Sequence, residues 1–361
     1  MRILRIAQKI YPDVKGGGPY HVHAMSRDQA AMGHDVTVAT VRTDPELPHV
    51  EERDGYTLVR YDPAVKLLGN DISPGLARYL AGADDFDVMH AHSHLYFATN
   101  LAALKRFVGD IPLAITNHGL YSQNAPQWVF NLYLRSLGRW TFNRADVVFC
   151  YTETDKRRVR EFGVSSRIEV VSNGIDTERF TPTGAESERI TSTGPALLFV
   201  GRLVEGKRPE DAIRALVDVL DRYPDATLSL CGSGALREEL ETLAAELGIR
   251  DSVQFLGHLS YDEMPKVYRS ADVLVLPSRA EGLPRTVLEA QSSGTPVVAS
   301  NLEQISSALG PNGRTFEIGD VDGFSSRLLE SLEAGGSADG GSQAWTETVD
   351  RTTAVLASIV E

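Results

Sequence analysis

What most constrains this 361-residue chain is a rhythm, in which short β-branched runs alternate with amphipathic segments through both halves. In the first half strands are expected at residues 3–7, 36–40, 57–61, 88–90, 113–116, 147–150 and 168–171, with helices such as 20–32 and 154–162 between them. The second half repeats the plan, with strands at 196–200, 227–231, 253–256, 273–276 and 296–299 and helices at 209–222, 235–247, 261–270 and 284–293. Strands separated by helical segments build parallel sheets covered on both faces, so the expectation is an α/β, doubly wound fold. Twelve parallel strands sit better in two sheets than in one. A polar, Gly/Pro-flanked stretch at 181–194 suggests where they divide. The expected organisation is an N-terminal domain at 1–183, a C-terminal domain at 184–342 and a last helix within 343–361, preceded by a Gly/Ser-rich stretch at 334–342. Ligands of doubly wound sheets sit outside the carboxyl ends of the strands, so the cleft between two such domains is the expected site.

Composition narrows the class. Hydrophobic residues make up 42% and charged residues 24%, ordinary for a globular protein. The longest run without Asp, Glu, Lys or Arg, 111–134, carries Asn117, His118, Ser122, Gln123, Asn124 and Gln127, which disqualifies it as a membrane span. The opening Met1-Arg2-Ile3-Leu4-Arg5 is too charged for a secretory signal. Cys150 and Cys231 each stand in an apolar run, which argues against a disulfide framework and for a reducing, cytoplasmic compartment. Residues 1–183 hold 21 basic and 21 acidic residues, and the rest hold 15 and 28. The acidic second half repels polyanions, so a nucleic-acid partner is not expected. An anionic ligand there must be held by a few placed cations and backbone amides.

The segment Glu281-Gly282-Leu283-Pro284-Arg285 follows the strand at 273–276, with Glu289 further along and Gly294 closing the helix. Pro284 suits the first helical position, and the amides near Gly282 to Arg285 become the donors of a helix start, which attract a diphosphate. Glu289 falls about one and a half turns in, where a carboxylate can accept from a ribose diol. Arg202 and Lys207 project from the loop after the strand at 196–200. Arg suits a diphosphate as a fork and Lys as a point charge, with Arg208 the bystander. Two glycine loops, Gly16-Gly17-Gly18 before the first helix and Gly232-Ser233-Gly234 after the strand at 227–231, permit close backbone approach. Neither has the spacing of a dinucleotide fingerprint.

His118, in Thr116-Asn117-His118-Gly119, follows a strand end and faces the expected cleft. His90, His92 and His94 alternate, but no Cys or carboxylate completes a metal set, so no metal is expected. No nucleophile elbow and no phosphate-loop lysine motif is present. An aromatic helix at 127–140 carries Arg135 and Arg139 and no acid, a pattern compatible with contact to an anionic membrane surface.

Taken together, Glu281 and Glu289, Val200-Gly201-Arg202 with Lys207, the early glycine loop, Thr116-Asn117-His118-Gly119 and Ser172-Asn173-Gly174-Ile175-Asp176 resemble the retaining glycosyltransferases of family 4, from Met1 to about residue 299 and again in the last helix. The resemblance implies the GT-B architecture, two Rossmann-like domains facing across a cleft. It implies a nucleotide-diphosphate sugar as donor and co-substrate, no cofactor, and metal-independent transfer to an acceptor hydroxyl with retention, in glycolipid, polysaccharide or lipid-linked glycan synthesis. Arg202 and Lys207 would hold the diphosphate and Glu289 the ribose. Glu281 with Gly282, Leu283 and Pro284 would lie by the sugar and phosphate, and Gly232, Gly234 and Leu259 around the nucleotide. Gly16 and Gly17 would face the diphosphate, and His118 the donor sugar. The Gly-Gly-x-Pro-Glu segment often found in that family after the strand at 296–299 is absent, and Asn301-Leu302-Glu303-Gln304-Ile305 stands in its place. The alternatives are a non-hydrolysing sugar-nucleotide epimerase of the same architecture and a catalytically silent partner protein.

Overall fold

The structure is a computed structural model that describes residues 1–67, 69–120, 127–336 and 343–361. Part of the Gly/Ser-rich stretch, residues 337–342, lies outside the described residues, as does the segment 121–126 before the aromatic helix. The chain divides into two compact units, Met1–Asn173 with Thr346–Glu361, and Gly174–Trp345. The division expected after residue 183 therefore falls inside the second unit. Ile175 and Phe180 are fully buried, and the Phe180 ring packs on Tyr261 and Tyr268 with centroids 5.5 and 5.9 Å away. These apolar anchors, placed before the polar stretch, fix where the second unit begins. The last helix, Trp345–Ala357, runs into the first unit.

The first unit is built on β1 (Arg2–Ile6), β2 (Asp35–Val41), β3 (Val50–Arg53), β4 (Tyr56–Tyr61), β5 (Val65–Leu67), β6 (Asn70–Ile72), β7 (Val88–His92), β8 (Leu113–Thr116), β9 (Val147–Cys150) and β10 (Arg167–Val170). Eight of these form one sheet in the order β10-β9-β8-β7-β1-β2-β4-β3, and β5 and β6 form a separate antiparallel ribbon. Every neighbour in the large sheet is parallel except β3 on β4. Strand β3, Val-Glu-Glu-Arg, is an edge strand, and an edge needs no apolar run, which is why β-branched patterning does not reveal it. Along β1 the side chains alternate between two cores. Leu4 and Ile6 pack with Met89, Ile115 and Val148, and Ile3 packs with Val36, Val88 and Leu356.

The second unit holds β11 (Ala196–Val200), β12 (Thr227–Cys231), β13 (Val253–Gly257), β14 (Val273–Leu276), β15 (Val297–Ser300) and β16 (Arg314–Phe316), all parallel, in the order β13-β12-β11-β14-β15-β16. Its main core gathers Leu197 and Phe199 of β11 with Ile213, Leu216, Leu228, Val275, Phe324 and Leu328. Strand β16 and the helix Val321–Ala334 are further elements beyond the sequence reading. The Asp320 carboxylate accepts from the Gly323 amide at 2.9 Å and starts that helix, and Phe324 and Leu328 anchor it in the core. No helix among the described residues is long and apolar enough to cross a membrane.

Candidate functional site

In the second unit the strand order reverses between β11 and β14, because the chain leaves β11 towards β12 on one side and returns to β14 on the other. The loops that leave these two strands bound the place where doubly wound sheets hold ligands. They carry Arg202 and Lys207 on one side and Glu281 on the other. The Arg279 amide donates to the Gly206 carbonyl at 3.0 Å, and Lys207 Nζ donates to the Glu281 carboxylate. That pair is shielded, with 14% of the Lys207 side chain and 4% of Glu281 exposed. Glu281 is held from behind by Gln304, whose Nε2 donates to the Glu281 carbonyl. Gln304 lies in the segment Asn301-Leu302-Glu303-Gln304-Ile305 after β15, a contact the linear spacing does not disclose. Arg202 stands on the exposed side of the loop. Arg208 is the N-cap of the helix Pro209–Arg222 and grips Asp211 with its Nε and Nη2 at 2.5 and 3.1 Å. Its charge is spent within its own helix turn.

The helix carrying Glu289 runs Arg285–Ser292 and has no side-chain cap. Pro284 was expected at the first helical position and is instead the N-cap, with ψ 127°. Its carbonyl accepts from the Val287 amide at 3.2 Å, so the proline opens the first turn without joining it. Glu289 is buried, and its two oxygens already have partners. Oε2 accepts from the Tyr268 hydroxyl at 2.9 Å, and Oε1 lies 3.4 Å from Arg285 Nε. Burial, with the Glu289 carboxylate next to it, holds the Tyr268 hydroxyl well above the usual phenol range, so it remains a donor. Arg285 also donates to the Gly174 carbonyl and the Tyr261 hydroxyl, each at 2.9 Å. Tyr268 and Arg285, like Gln304 behind Glu281, are site residues that sequence reasoning missed. The Arg285–Glu289 spacing of i,i+4 was the available signal for one of them, and nothing local marks Tyr268.

The glycines after β12 have a structural reason of their own. A Cβ on Gly232, whose φ is +149°, would overlap the Gly201 carbonyl, and one on Gly234 would overlap the Leu203 backbone. The two loops lie backbone on backbone, with the Gly201 amide on the Cys231 carbonyl and the Leu203 amide on the Ser233 carbonyl, both at 3.0 Å. Leu259 is buried. Gly282 and Leu283 are buried in the turn before Pro284.

In the first unit the order reverses between β1 and β7. Gly16, with φ +141°, is the N-cap of the helix Gly17–Ala31, which begins with no side-chain cap and no acid in its first turn. A Cβ on Gly18 would lie 3.9 Å from His118 Nδ1, so the glycine turn and His118 are neighbours. His118 Nδ1 pairs with the Tyr151 hydroxyl at 2.8 Å, and Nε2 with His92 Nδ1 at 3.2 Å. Burial pushes His118 down to about 4 and holds His90 and His92 well below the usual imidazole range, so the cluster is neutral at pH 7. Behind it lies a fully buried cation, Arg5, which donates to Ser26, Gln29 and His90 and is pushed down to about 9 by burial. It keeps its charge at pH 7 and disfavours a second charge on His90 and His92. Among the described residues no set of three His, Cys, Asp or Glu side chains converges as a metal site requires.

Two family models match the chain, Glycosyltransferase Family 4 over residues 15–179 and Glycosyl transferases group 1 over residues 182–339. The chain belongs to glycosyltransferase family 4. This family 4 glycosyltransferase is 32% identical over 363 residues to the glycogen synthase of Mycobacterium tuberculosis, covering 92% of this chain and 86% of that one. It is 31% identical to the D-inositol 3-phosphate glycosyltransferase of Corynebacterium aurimucosum, covering 79% and 75%. Solved structures with the same fold include sucrose-phosphate synthase from Thermosynechococcus elongatus, at TM-score 0.78 and 20% identity, covering 100% of this chain and 96% of that one. Anabaena HepE in complex with UDP-glucose matches at TM-score 0.73 and 17% identity, covering 99% of each chain. The two largely parallel sheets of the family 4 glycosyltransferase are thus those of the GT-B architecture.

Proposed function

We propose that the protein transfers a sugar, with retention of configuration and without a metal, from a nucleotide-diphosphate sugar to an acceptor hydroxyl. The observation that carries the reading is the Lys207–Glu281 pair at the strand-order reversal of the second unit, next to an uncapped helix start. An ammonium has three donors, so with one on Glu281 it still offers two to phosphate oxygens. Lys207, Arg202 and the helix start together stabilise charge as it builds on the departing diphosphate, which is the largest catalytic term available here. A carboxylate has about four lone-pair positions, so Glu289 can accept from a ribose diol while Tyr268 and Arg285 fix its orientation. Gly232, Gly234 and Leu259 are proposed to border the nucleotide, and Gly282, Leu283 and Pro284 the phosphate and sugar. Gly16 and Gly17 are proposed to meet the diphosphate, and neutral His118 to lie by the donor sugar without adding a charge.

The acceptor hydroxyl attacks from the face that the diphosphate leaves, and a phosphate oxygen of the leaving group takes the proton. The glycosidic bond to phosphate breaks as the new one forms, and the nucleoside diphosphate departs. The protein is proposed to act in the cytoplasm, on an acceptor in glycolipid, polysaccharide or lipid-linked glycan synthesis and with peripheral contact to a membrane through the first unit. The test is nucleotide release from a panel of UDP-, GDP- and ADP-sugars, with and without a chelator, and the product anomer read by NMR. A folded protein that turns over no nucleotide sugar overturns the proposal, and loss of activity in the chelator overturns metal independence. Proton exchange from deuterated water into the donor without an acceptor would favour the epimerase.

A further inference from the structure

The helix expected at 127–140 runs on to Phe142, with a π-helical turn at Leu134–Gly138 between the α-helical pieces Gln127–Tyr133 and Arg139–Phe142. Phe130, Leu134 and Phe142 are buried, and the opposite stripe is outside. On it Trp128 is 71% and Leu132 63% exposed, and Arg135 and Arg139 follow at helical spacing. The sequence has no acidic residue between Asp110 and Asp146, and Asp146 is taken by Arg106 at 2.9 and 3.0 Å. Among the described residues no carboxylate pairs with Arg135, Arg139 or Arg144. These three arginines line a groove of about 450 Å³ together with Ser136, Trp140 and Asn143. Arg144 also lies 4.5 Å over the ring of Phe107, which is 57% exposed at the end of the neighbouring helix beside Val108, 75% exposed.

We propose that this face docks the protein on an anionic phospholipid bilayer, with headgroup phosphates in the arginine groove and Trp128 and Leu132 seated at the boundary between headgroups and acyl chains. The charge decides the occupant. Three arginines without counter-ions among the described residues, beside a Trp/Leu stripe, match an interface that is negative outside and apolar within, and a tryptophan suits the headgroup level. The inference deepens the transfer reading by bringing the acceptor to a bilayer surface, and it rests on that reading for this placement alone.

The experiment is sedimentation of the full chain with vesicles of phosphatidylcholine, with and without phosphatidylglycerol. The wild type is expected to partition onto the phosphatidylglycerol vesicles. The triple variant Arg135→Gln, Arg139→Gln, Arg144→Gln should lose affinity about fivefold per arginine, on the order of 100-fold together. Trp128→Ser with Leu132→Ser should abolish the blue shift in tryptophan emission on those vesicles. All variants should keep the wild-type melting temperature and the wild-type rate of nucleotide release with a soluble acceptor. A wild type that stays in the supernatant with phosphatidylglycerol vesicles overturns the inference. So does a dimer in solution that Trp128→Ser splits while vesicle binding is absent. Absent vesicle binding with intact nucleotide release sinks the docking alone, and vesicle binding without nucleotide release sinks the transfer reading alone.

Discussion

Lys207→Met tests the donor reading at its centre, and Arg208→Ala is its matched control. Both substitutions strand a carboxylate. Lys207→Met strands Glu281, whose side chain is 4% exposed, and Arg208→Ala strands Asp211, whose side chain is 5% exposed. Breaking a buried pair by removing one partner costs about 3–5 kcal/mol, and the partial exposure of both cations puts each of these at about 3 kcal/mol or less. Both variants should therefore melt earlier, by comparable amounts. Only Lys207 faces Glu281 across the two loops at the strand-order reversal, whereas Arg208 is bound into its own helix turn. The loss of one charged donor to the diphosphate is about 1.5–3 kcal/mol, so kcat/KM of Lys207→Met should fall on the order of 10- to 150-fold. That of Arg208→Ala should change less than about threefold on the same scale. The assay is nucleotide diphosphate release measured well below both melting temperatures. Adding Glu281→Gln to Lys207→Met should recover melting temperature, since it removes the stranded charge, without recovering the rate. Equal losses of activity in the two single variants would refute the assignment of the loop.

Gly232→Ala should cost about 3 kcal/mol or more, because the new methyl overlaps the Gly201 carbonyl at a φ of +149°, and an unchanged melting temperature would deny the close approach of the two loops. Tyr268→Phe removes the donor to Glu289 Oε2 and should raise KM for the donor sugar with little change in kcat, at a stability cost of about 1 kcal/mol. His118, lowered from 6.5 to about 4, binds a proton more readily unfolded than folded, so stability is full above pH 6.5 and drains away as pH falls towards 4. At pH 5 His118 alone should lower it by about 2 kcal/mol, His90 and His92 adding to this, and a urea midpoint that is the same at pH 7 and pH 5 would refute the buried neutral cluster.

The central parallel strands were legible because both faces of such a strand are buried and the apolar run is continuous. Leu113–Thr116, Val147–Cys150 and Val273–Leu276 stand where that patterning puts them. The edge strand β3 and the short strand β16 carry no such run, so only their pairing identifies them as strands. Motif spacing was enough to bring out Lys207, Glu281, Glu289 and His118 as candidates, because strand ends and helix starts are local features. What surrounds them was not legible. Tyr268 behind Glu289, Gln304 behind Glu281 and Tyr151 beside His118 meet their partners from 21, 23 and 33 residues away along the chain.

By itself, then, the order of residues determined the two-sheet α/β plan and the charged groups at the strand ends, since both follow from periodicity and from short-range spacing. Only the tertiary structure decided which of those groups pair, which imidazoles are neutral and which arginines lack a counter-ion among the described residues. Those properties depend on burial and on distances between segments far apart in the chain, and a linear pattern carries neither.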